Sequence, residues 1–259
     1  MAPQAFPEGA APKAPGTTAT RPDEVVHRRT LRWQDATVLA VRDETPTART
    51  FRLRLPAPHP HLPGQHYVVR LTAPDGYSAT RSYSVASAPE SSGEIELTVE
   101  KLVDGEVSEF LHDVVVPGDE LEVRGPIGGF FAWPGDRPAL LVGGGSGVVP
   151  LMAMLRTARA AGDPDLVRLI VSVRSPADLY YRDEIGGPQT VVVHTRSAPA
   201  GDPRGAGRLT AADLAPLVRG GEDVFVCGSP AFCDAATDRL IEAGVPTATI
   251  RVERFGPSG

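Results

Sequence analysis

Cysteine is scarce in this chain: its 259 residues include only Cys227 and Cys233. An iron–sulfur cluster takes four protein ligands, so two thiols cannot hold one. Their spacing does not match a zinc-ligand pattern, and two cysteines cannot build a disulfide-rich secreted domain. We therefore expect no metal site and no fused iron–sulfur domain.

The sequence also lacks an excess of positive charge and a long apolar run. Asp plus Glu number 32 against 26 for Lys plus Arg, which gives a formal net charge of -6. Nucleic-acid binding would call for a clustered basic face. No apolar run reaches the roughly 20 residues of a membrane-spanning helix. The first residues have neither the basic start nor the apolar stretch of a signal peptide. We expect a cytoplasmic protein with no nucleic-acid partner and no membrane span.

The apolar content is high enough for a sizeable core. Hydrophobic residues make up 41% of the chain, and the length fits one large or two medium domains. Residues 1–27 are an exception, because they are rich in Ala, Pro, Thr and Gly and show no periodicity. We predict a disordered tail there.

Short alternating strands dominate residues 28–134. In Ala48–Leu55 apolar and basic residues alternate, and in Glu94–Lys101 apolar residues alternate with Glu and Thr. Clusters of Gly, Pro, Ser and Asp separate the strands. One short helix is predicted over Ser108–Asp113. This pattern predicts an antiparallel Greek-key β-barrel.

Residues 135–259 change to buried strands that alternate with helices. The predicted strands are Ala139–Val142, Leu166–Val173, Val191–Val193 and Val224–Val226, and the predicted helices are Val148–Ala161, Ala211–Val218 and Ala231–Ala243. This alternation predicts a doubly wound parallel α/β sheet. The domain boundary is therefore placed near Gly135.

A glycine-rich turn opens the second domain. Gly143–Gly147, GGGSG, follows an apolar strand and precedes a helix. Glycines let backbone amides approach a phosphate, and a helix N-terminus carries unpaired N–H groups. The spacing differs from GxGxxG, so a tight turn without a ligand explains this motif alone equally well.

A second polar motif, RSYS, lies in the first domain at Arg81–Ser84. An arginine can bind a phosphate with two hydrogen bonds, a tyrosine can pack on a planar ring, and a serine hydroxyl can donate. On a strand, Arg81 and Tyr83 share one face and Ser84 points to the other. An isolated match of this length also fits an ordinary exposed strand.

Five motifs together point to a family. In chain order they are RSYS at Arg81–Ser84, GEVS at Gly105–Ser108, GGGSGVVP from Gly143, CGSP at Cys227–Pro230 and ERF at Glu253–Phe255. From about residue 31 to the C-terminus, the chain resembles the ferredoxin–NADP reductase family of flavoproteins. The resemblance implies a flavin-binding barrel followed by a nicotinamide-nucleotide-binding α/β domain.

The resemblance assigns the flavin-binding residues. Arg81 matches the arginine on the flavin pyrophosphate, Tyr83 the aromatic packed on the isoalloxazine, and Ser84 the serine near flavin N5. The other implied flavin-binding residues are Ser82, Val99, Glu100, Lys101, Gly105, Val107 and Ser108.

It also assigns the nucleotide site. The pyrophosphate turn is Gly143, Gly144, Gly145, Ser146 and Gly147, and Cys227 and Gly228 end the strand beside the nicotinamide. The residues implied for the 2′-phosphate are Arg174, Thr195, Arg196, Arg204 and Arg208. No acidic residue ends either strand to hold a free 2′-hydroxyl, so NADPH is expected over NADH.

The closing motif supplies the remaining catalytic candidates. The resemblance implies that Phe255 covers the flavin face that the nicotinamide must occupy, and that Glu253 lies near Ser84 and Cys227 at the hydride-transfer site. Here the chain departs from the family pattern, because Gly256–Gly259 follow the aromatic residue. An alternative is that this end turns away to hold the adenine part.

The activity implied is an FAD-dependent NAD(P)H oxidoreductase. It would transfer hydride from NADPH to FAD and then single electrons to a separate redox protein, with a ferredoxin as first choice and an oxygenase or molybdenum enzyme component as the alternative. Some family branches bind FMN instead of FAD. A flavin reductase or diaphorase, and a non-catalytic flavin electron-transfer subunit, share the same motifs. A glycine-rich methyltransferase would explain only the second domain.

Overall fold

The structure is a computed structural model that describes residues 31–256. The predicted disordered tail, residues 1–27, and the last three residues lie outside the described residues. From Leu31 onward the chain packs as one compact unit.

The first half is a closed antiparallel sheet. Its strands are β1 (Gln34–Thr45), β2 (Ala48–Arg54), β3 (His66–Thr72), β4 (Ser78–Ser84), β5 (Glu94–Glu100) and β6 (Glu120–Ile127). The strand order is β4-β3-β6-β1-β2-β5, with every neighbouring pair antiparallel. Val85, directly after β4, bridges to Leu97 of β5 and so joins the two edges. The predicted antiparallel barrel is confirmed, and one helix, α1 (Glu106–Asp113), lies between β5 and β6.

The barrel core follows the alternation of the strands. Phe51 and Leu53 of β2 are buried in it, whereas Arg52 and Arg54 point to solvent. Alternate strand residues face opposite sides of a sheet, so one face carries the apolar set. Thr98 departs from the expected polar face of β5. It is buried, because residues of the second half cover that part of the barrel.

The second half is a five-stranded parallel sheet with helices on both faces. Its strands are β7 (Ala139–Gly144), β8 (Val167–Val173), β9 (Thr190–His194), β10 (Asp223–Gly228) and β11 (Ile250–Arg254), and its helices are α2 (Val148–Ala160), α3 (Ala211–Leu214) and α4 (Pro230–Glu242). Leu141 packs with α2 on one face, and its neighbours Leu140 and Val142 pack with α4 on the other. The predicted doubly wound sheet is confirmed.

Helix α3 is shorter than the predicted Ala211–Val218. It ends at Leu214 and continues as a single 3₁₀ turn, Ala215–Leu217. Pro216 explains the change, because proline has no N–H and its ring clashes with the carbonyl four residues earlier. The start is fixed by Thr210, whose hydroxyl accepts the N–H of Asp213 in a capping box.

The strand order of the second sheet creates one switch point. The order is β11-β10-β7-β8-β9, so the chain builds outward from β7 on one side and then continues with β10 on the other. Sheets of this kind bind ligands at the carboxyl ends of the strands that flank the switch point, here β7 and β10, and we call this region the crevice. The domain boundary near Gly135 stays a prediction, between the end of β6 and the start of β7. Across residues 31–256, no helix combines the length and the apolar character needed to cross a membrane.

Candidate functional site

The glycine turn lies at the β7 side of this crevice. After Gly144 the chain makes one 3₁₀ turn, Gly145–Gly147, and enters α2 directly. Gly145 has a φ of 54°, in the left-handed region that favours glycine. A Cβ on Gly147 would lie 2.2 Å from the carbonyl oxygen of Cys227. The turn therefore packs backbone to backbone on the end of β10.

A phenylalanine that the sequence reasoning missed closes the same crevice from the α4 side. The Phe232 ring lies so close that a Cβ on Gly144 would come within 2.5 Å of it, and a Cβ on Gly228 within 2.6 Å. The Phe232 N–H donates to Ser229 Oγ, which caps α4. The sequence feature that points to Phe232 is its position in the first turn of a helix that begins at the crevice. Phe232 explains why glycine stands on both strands there.

A thiol and a carboxyl group meet at the β10 side. Cys227 pairs with Glu253 in the parallel register of β10 and β11. Burial raises the pKa of Glu253 to about 7, and its Oε2 is buried without a hydrogen-bond partner in the described residues. Burial, together with the nearby Glu253 carboxylate, raises the pKa of Cys227 well above its usual value. Near neutral pH this site can hold a proton on a carboxyl group beside a neutral thiol.

Phe255 is tied to the same strand end. Its N–H donates to the carbonyl of Gly228 at 2.8 Å, and its half-buried side chain packs on the apolar cluster that contains Cys227. The structure thus brings together Gly147, Cys227, Glu253 and Phe255, four residues that are far apart in the sequence.

Ser84 ends β4 on the barrel side. It is 5% exposed and lies opposite His66 of β3. Its hydroxyl makes no hydrogen bond to any residue from 31 to 256. Two residues further, Ala86 belongs to the same apolar cluster as Cys227. The end of the RSYS strand therefore packs toward the half of the chain that carries the crevice.

The remainder of RSYS points in the directions expected of an alternating strand. Tyr83 packs on the barrel core, and burial raises its pKa. Arg81 is exposed, as is Ser82, and its guanidinium contacts only the Thr80 carbonyl within the described residues. A charged group with free donors on the barrel surface is suited to an anionic ligand.

The GEVS segment forms a compact turn before α1. Ser108 Oγ donates to the carbonyl of Gly105 and accepts the N–H of Leu102. No side chain from residues 31–256 caps α1, so the N–H groups of its first turn stay available. Two acidic residues, Glu106 and Glu109, lie in this first turn. Glu106 accepts a hydrogen bond from the Tyr77 hydroxyl, and Tyr77 also lies close to Arg81.

The other residues that the resemblance implied for the flavin have structural contacts. Val99 and Val107 are buried in the barrel core, so only their backbone groups can reach a ligand. The Lys101 ammonium is 2.5 Å from a carboxylate oxygen of Asp113. Glu100 is half-buried.

The proposed 2′-phosphate region lies at the carboxyl ends of β8 and β9. The carbonyl of Arg174 accepts the N–H of Arg196, so the two arginines are neighbours. The Arg174 guanidinium bonds Asp178, which also accepts from Ser175. Arg196 is exposed and donates to no other side chain in the described part of the chain. Asp178 corrects the expectation that no acid lies at these strand ends, because a 3₁₀ turn folds it back onto Arg174.

Arg204 and Arg208 differ in availability. Arg204 binds Asp213 through two nitrogens and also donates to three carbonyls of its own loop, so its donors are used locally. Arg208 is exposed, and Thr195 is half-buried after β9. Arg196 and Arg208 are therefore both exposed to an added phosphate, and Arg196 lies closer to the end of β9.

The residues present fit both groups that the motifs imply. In the glycine turn, Gly144 and Gly147 pack on Phe232 and Cys227, whereas a Cβ on Gly145 would meet no atom within 4 Å, so the backbone of Gly145 is open to a ligand. The buried Glu253 Oε2 is an acceptor or donor with no hydrogen-bond partner among residues 31–256. Arg81 and the uncapped start of α1 offer donors to a pyrophosphate.

This architecture defines a class, the oxidoreductases that bind a flavin on an antiparallel barrel and a nicotinamide nucleotide on a parallel sheet. Two domain families match in that order: Oxidoreductase FAD-binding domain at residues 35–131 and Oxidoreductase NAD-binding domain at residues 141–238. A Ralstonia relative, the ferredoxin–NAD(P)+ reductase component of naphthalene 1,2-dioxygenase/salicylate 5-hydroxylase systems, is 30% identical over 86% of this chain and 69% of its own length. The chain belongs to the ferredoxin–NADP reductase family of flavoproteins.

Two further similarities set the extent of the match. The phenol hydroxylase P5 protein of Acinetobacter pittii is 29% identical over 85% of this chain. The flavohaem-like FAD/NAD binding domain of a Vibrio cholerae nitric oxide dioxygenase superposes with a TM-score of 0.75 at 25% identity, over 86% of this chain and 99% of that domain. The chain spans 65% of the length of the first curated relative and 69% of the Ralstonia protein.

Proposed function

We propose that the protein is an FAD-dependent NAD(P)H oxidoreductase that takes hydride from NADPH and passes single electrons to a separate redox protein. The observation that carries this proposal is the meeting of the glycine turn, Cys227, the buried Glu253 and Phe255 at the switch point. The RSYS strand end packs toward the same region. Buried titratable groups in a crevice are typical of functional sites.

Each residue has a role that follows from its position. Arg81 and the amides at the start of α1 would hold the flavin pyrophosphate, and Gly143–Gly147 the nucleotide pyrophosphate. When bound, FAD supplies the chemistry that side chains lack, since it accepts two electrons as a hydride and releases them one at a time. Glu253 keeps a proton near neutral pH, and the Ser84 hydroxyl is free to donate. Phe255 shields the crevice from water while its backbone stays bound to Gly228.

The acceptor in this proposal is a separate protein. The two domains hold two cysteines, fewer than the four ligands of an iron–sulfur cluster, so the proposed route carries electrons from the flavin to a redox centre outside these domains. Two relatives are named as reductase components of oxygenase systems, one for naphthalene 1,2-dioxygenase/salicylate 5-hydroxylase and one for propane 2-monooxygenase. A ferredoxin is our first choice, and an oxygenase or molybdenum enzyme component is the alternative. Each NADPH would reduce two molecules of a one-electron acceptor and become NADP+.

The first test is the visible spectrum of the purified protein. We expect a yellow protein whose flavin bands bleach when NADPH is added without oxygen, and the mass of the released cofactor distinguishes FAD from FMN. Faster reduction of free flavin or quinone than of ferredoxin would favour the diaphorase. A flavoprotein that neither nucleotide bleaches would be the electron-transfer subunit. A colourless protein that flavin cannot reconstitute would refute the proposal, and binding of S-adenosylmethionine would then favour the methyltransferase.

Preference for NADPH is proposed to depend on Arg196. Substitution Arg196→Ala should lower kcat/KM for NADPH about tenfold, because a charge-assisted hydrogen bond contributes about 1.5–3 kcal/mol. The value for NADH should stay unchanged. Steady-state kinetics with both nucleotides measure this, and Arg239→Ala, an exposed arginine of α4, is the control. A wild-type preference for NADH would contradict the proposal. Asp178 would then be the candidate acceptor for the free 2′-hydroxyl of the ribose.

A further inference from the structure

The side chain of Arg156, a residue of helix α2, forms hydrogen bonds with both halves of the molecule. It lies in the third turn of α2, the helix that begins at the glycine turn. Its side chain is 15% exposed. One nitrogen, Nη1, donates to the carbonyl of Ala86 at 2.9 Å and to Glu96 Oε2 at 2.8 Å. Another, Nε, donates to Glu184 at 2.8 Å.

The barrel partners of Arg156 are Ala86, just beyond the end of the RSYS strand β4, and Glu96 of β5. Ala86 lies two residues after Ser84, and its N–H donates to the carbonyl of Glu96 on β5. Arg156 therefore binds the end of the RSYS strand and its neighbour with one guanidinium. The planar group with five donors is suited to three acceptors at once, which a lysine cannot match.

Tyr181 completes this contact beneath the guanidinium. Arg156 lies 5.0 Å above the Tyr181 ring. The Tyr181 hydroxyl donates to Thr98 at 2.5 Å, and Thr50 donates to Glu44 at 2.7 Å. The hydroxyl oxygens of Thr98 and Thr50 are 2.7 Å apart. Because the Thr50 hydroxyl already donates to Glu44, the Thr98 hydroxyl is the donor in this bond.

The Tyr181 backbone closes the ring of hydrogen bonds. Its N–H donates to the second carboxylate oxygen of Glu44 at 2.8 Å. Tyr181 has a φ of 52°, a left-handed conformation that a residue with a bulky side chain rarely adopts. Such strain persists only where the surroundings determine it. Both the side chain and the backbone of Tyr181 are thus fixed by the barrel.

We propose that Arg156 is a positioning residue for hydride transfer. We name the Arg156 joint as Arg156, Tyr181 and Glu184 on one side and Ala86, Glu96 and Thr98 on the other. Because α2 is a rigid rod, it holds the nucleotide turn at its N-terminus at a fixed distance from the Ser84 strand end. The reacting atoms must be held about 3–3.5 Å apart, and a misplacement of about 1 Å can slow such a reaction about a hundredfold. The inference rests on the proposed function.

The test compares Arg156→Met and Arg156→Lys with Arg159→Met. Arg159 is in the same helix and donates only to the Glu184 carbonyl, so its substitution controls for the loss of a charge from α2. The measurements on flavin-loaded protein are the rate of anaerobic flavin reduction by NADPH per bound flavin, the Kd of NADPH, and hydrogen–deuterium exchange of residues 84–87 and 176–186.

We expect Arg156→Met to slow reduction about tenfold with an unchanged flavin spectrum, since misplacement affects the rate and not the flavin itself. Arg156→Lys should fall between Arg156→Met and wild type. The NADPH Kd should change less than about twofold, because the glycine turn itself is intact. Exchange should increase in both segments for the Arg156 variants. Arg159→Met should keep the wild-type reduction rate, NADPH Kd and exchange of residues 84–87.

Several outcomes would overturn the inference. One is a lower unfolding temperature with an unchanged rate per bound flavin, which would make Arg156 purely structural. If Arg156→Met does not fold, Arg156→Lys and Tyr181→Phe decide, and wild-type rates in both would refute the inference. Failure of the proposed function is separate, because then the wild-type protein itself would not be reduced by NADPH or NADH.

Discussion

We expect the substitution Gly147→Ala to slow the reduction of the flavin by NADPH about a hundredfold or more. The added Cβ would lie 2.2 Å from the Cys227 carbonyl oxygen and 2.5 Å from the Gly228 nitrogen. These are backbone atoms, so no side chain can rotate away and the turn must separate from β10. Anaerobic stopped-flow reduction by NADPH measures the effect. The flavin should remain bound, because the barrel is not touched.

The matched control is Gly186→Ala, in the same half of the chain. A Cβ there meets no atom within 4 Å, so the free energy of unfolding should change by less than about 0.5 kcal/mol. Overpacking at Gly147 should cost about 1–3 kcal/mol. A Gly147→Ala protein with wild-type reduction rates would show that the glycine turn does not hold the nucleotide.

Replacement of Glu253 by Gln should remove a large pH dependence of stability. Burial raises the pKa of Glu253 from an ordinary 4.5 to about 7. Between these values the unfolded chain has released the proton while the folded protein keeps it. The unfolded state therefore binds fewer protons, and the free energy of unfolding falls as the pH rises from 4.5 to 7. The loss amounts to about 3 kcal/mol.

Urea unfolding of flavin-free wild type and Glu253→Gln between pH 4 and 8 measures this difference. The stability of Glu253→Gln relative to wild type should rise across that range by about 3 kcal/mol and level off above pH 7. Glu242→Gln, at an exposed position on α4, is the control and should run parallel to wild type. A difference between wild type and Glu253→Gln that does not change with pH would mean that the carboxylate is solvated or paired.

Gly147 and Glu253 determine different properties of the same crevice. Gly147 controls whether the turn can approach β10, and Glu253 controls the proton held beside Cys227. Phe232 fills the third side, where its ring replaces the side chains that Gly144 and Gly228 lack. The backbone at Gly144, Gly147 and Gly228 is therefore closely packed, and small additions to these residues should have large effects.

The elements were largely predictable because their patterns are local. Phe51 and Leu53 alternate with Arg52 and Arg54, and period-two alternation directly encodes a half-buried strand. The helix predicted over Ala211–Val218 ends early, at Leu214, because of the local effect of Pro216. The prediction that Thr98 lies on the exposed face of β5 was wrong for another reason. Its polar side chain alternates correctly, but Tyr181, from a segment 83 residues away in the sequence, buries it.

The sequence alone determined the two-domain class, the order of the domains and the motifs that identify the family, because glycine turns and alternating strands depend on neighbouring residues. Only the tertiary structure decided which residues these motifs contact. Cys227 faces Glu253 only because β10 and β11 pair in one register. Asp178 reaches Arg174, and Arg156 reaches Ala86, only through folding of distant segments. Contacts of this kind depend on strand order and packing, which no local pattern encodes.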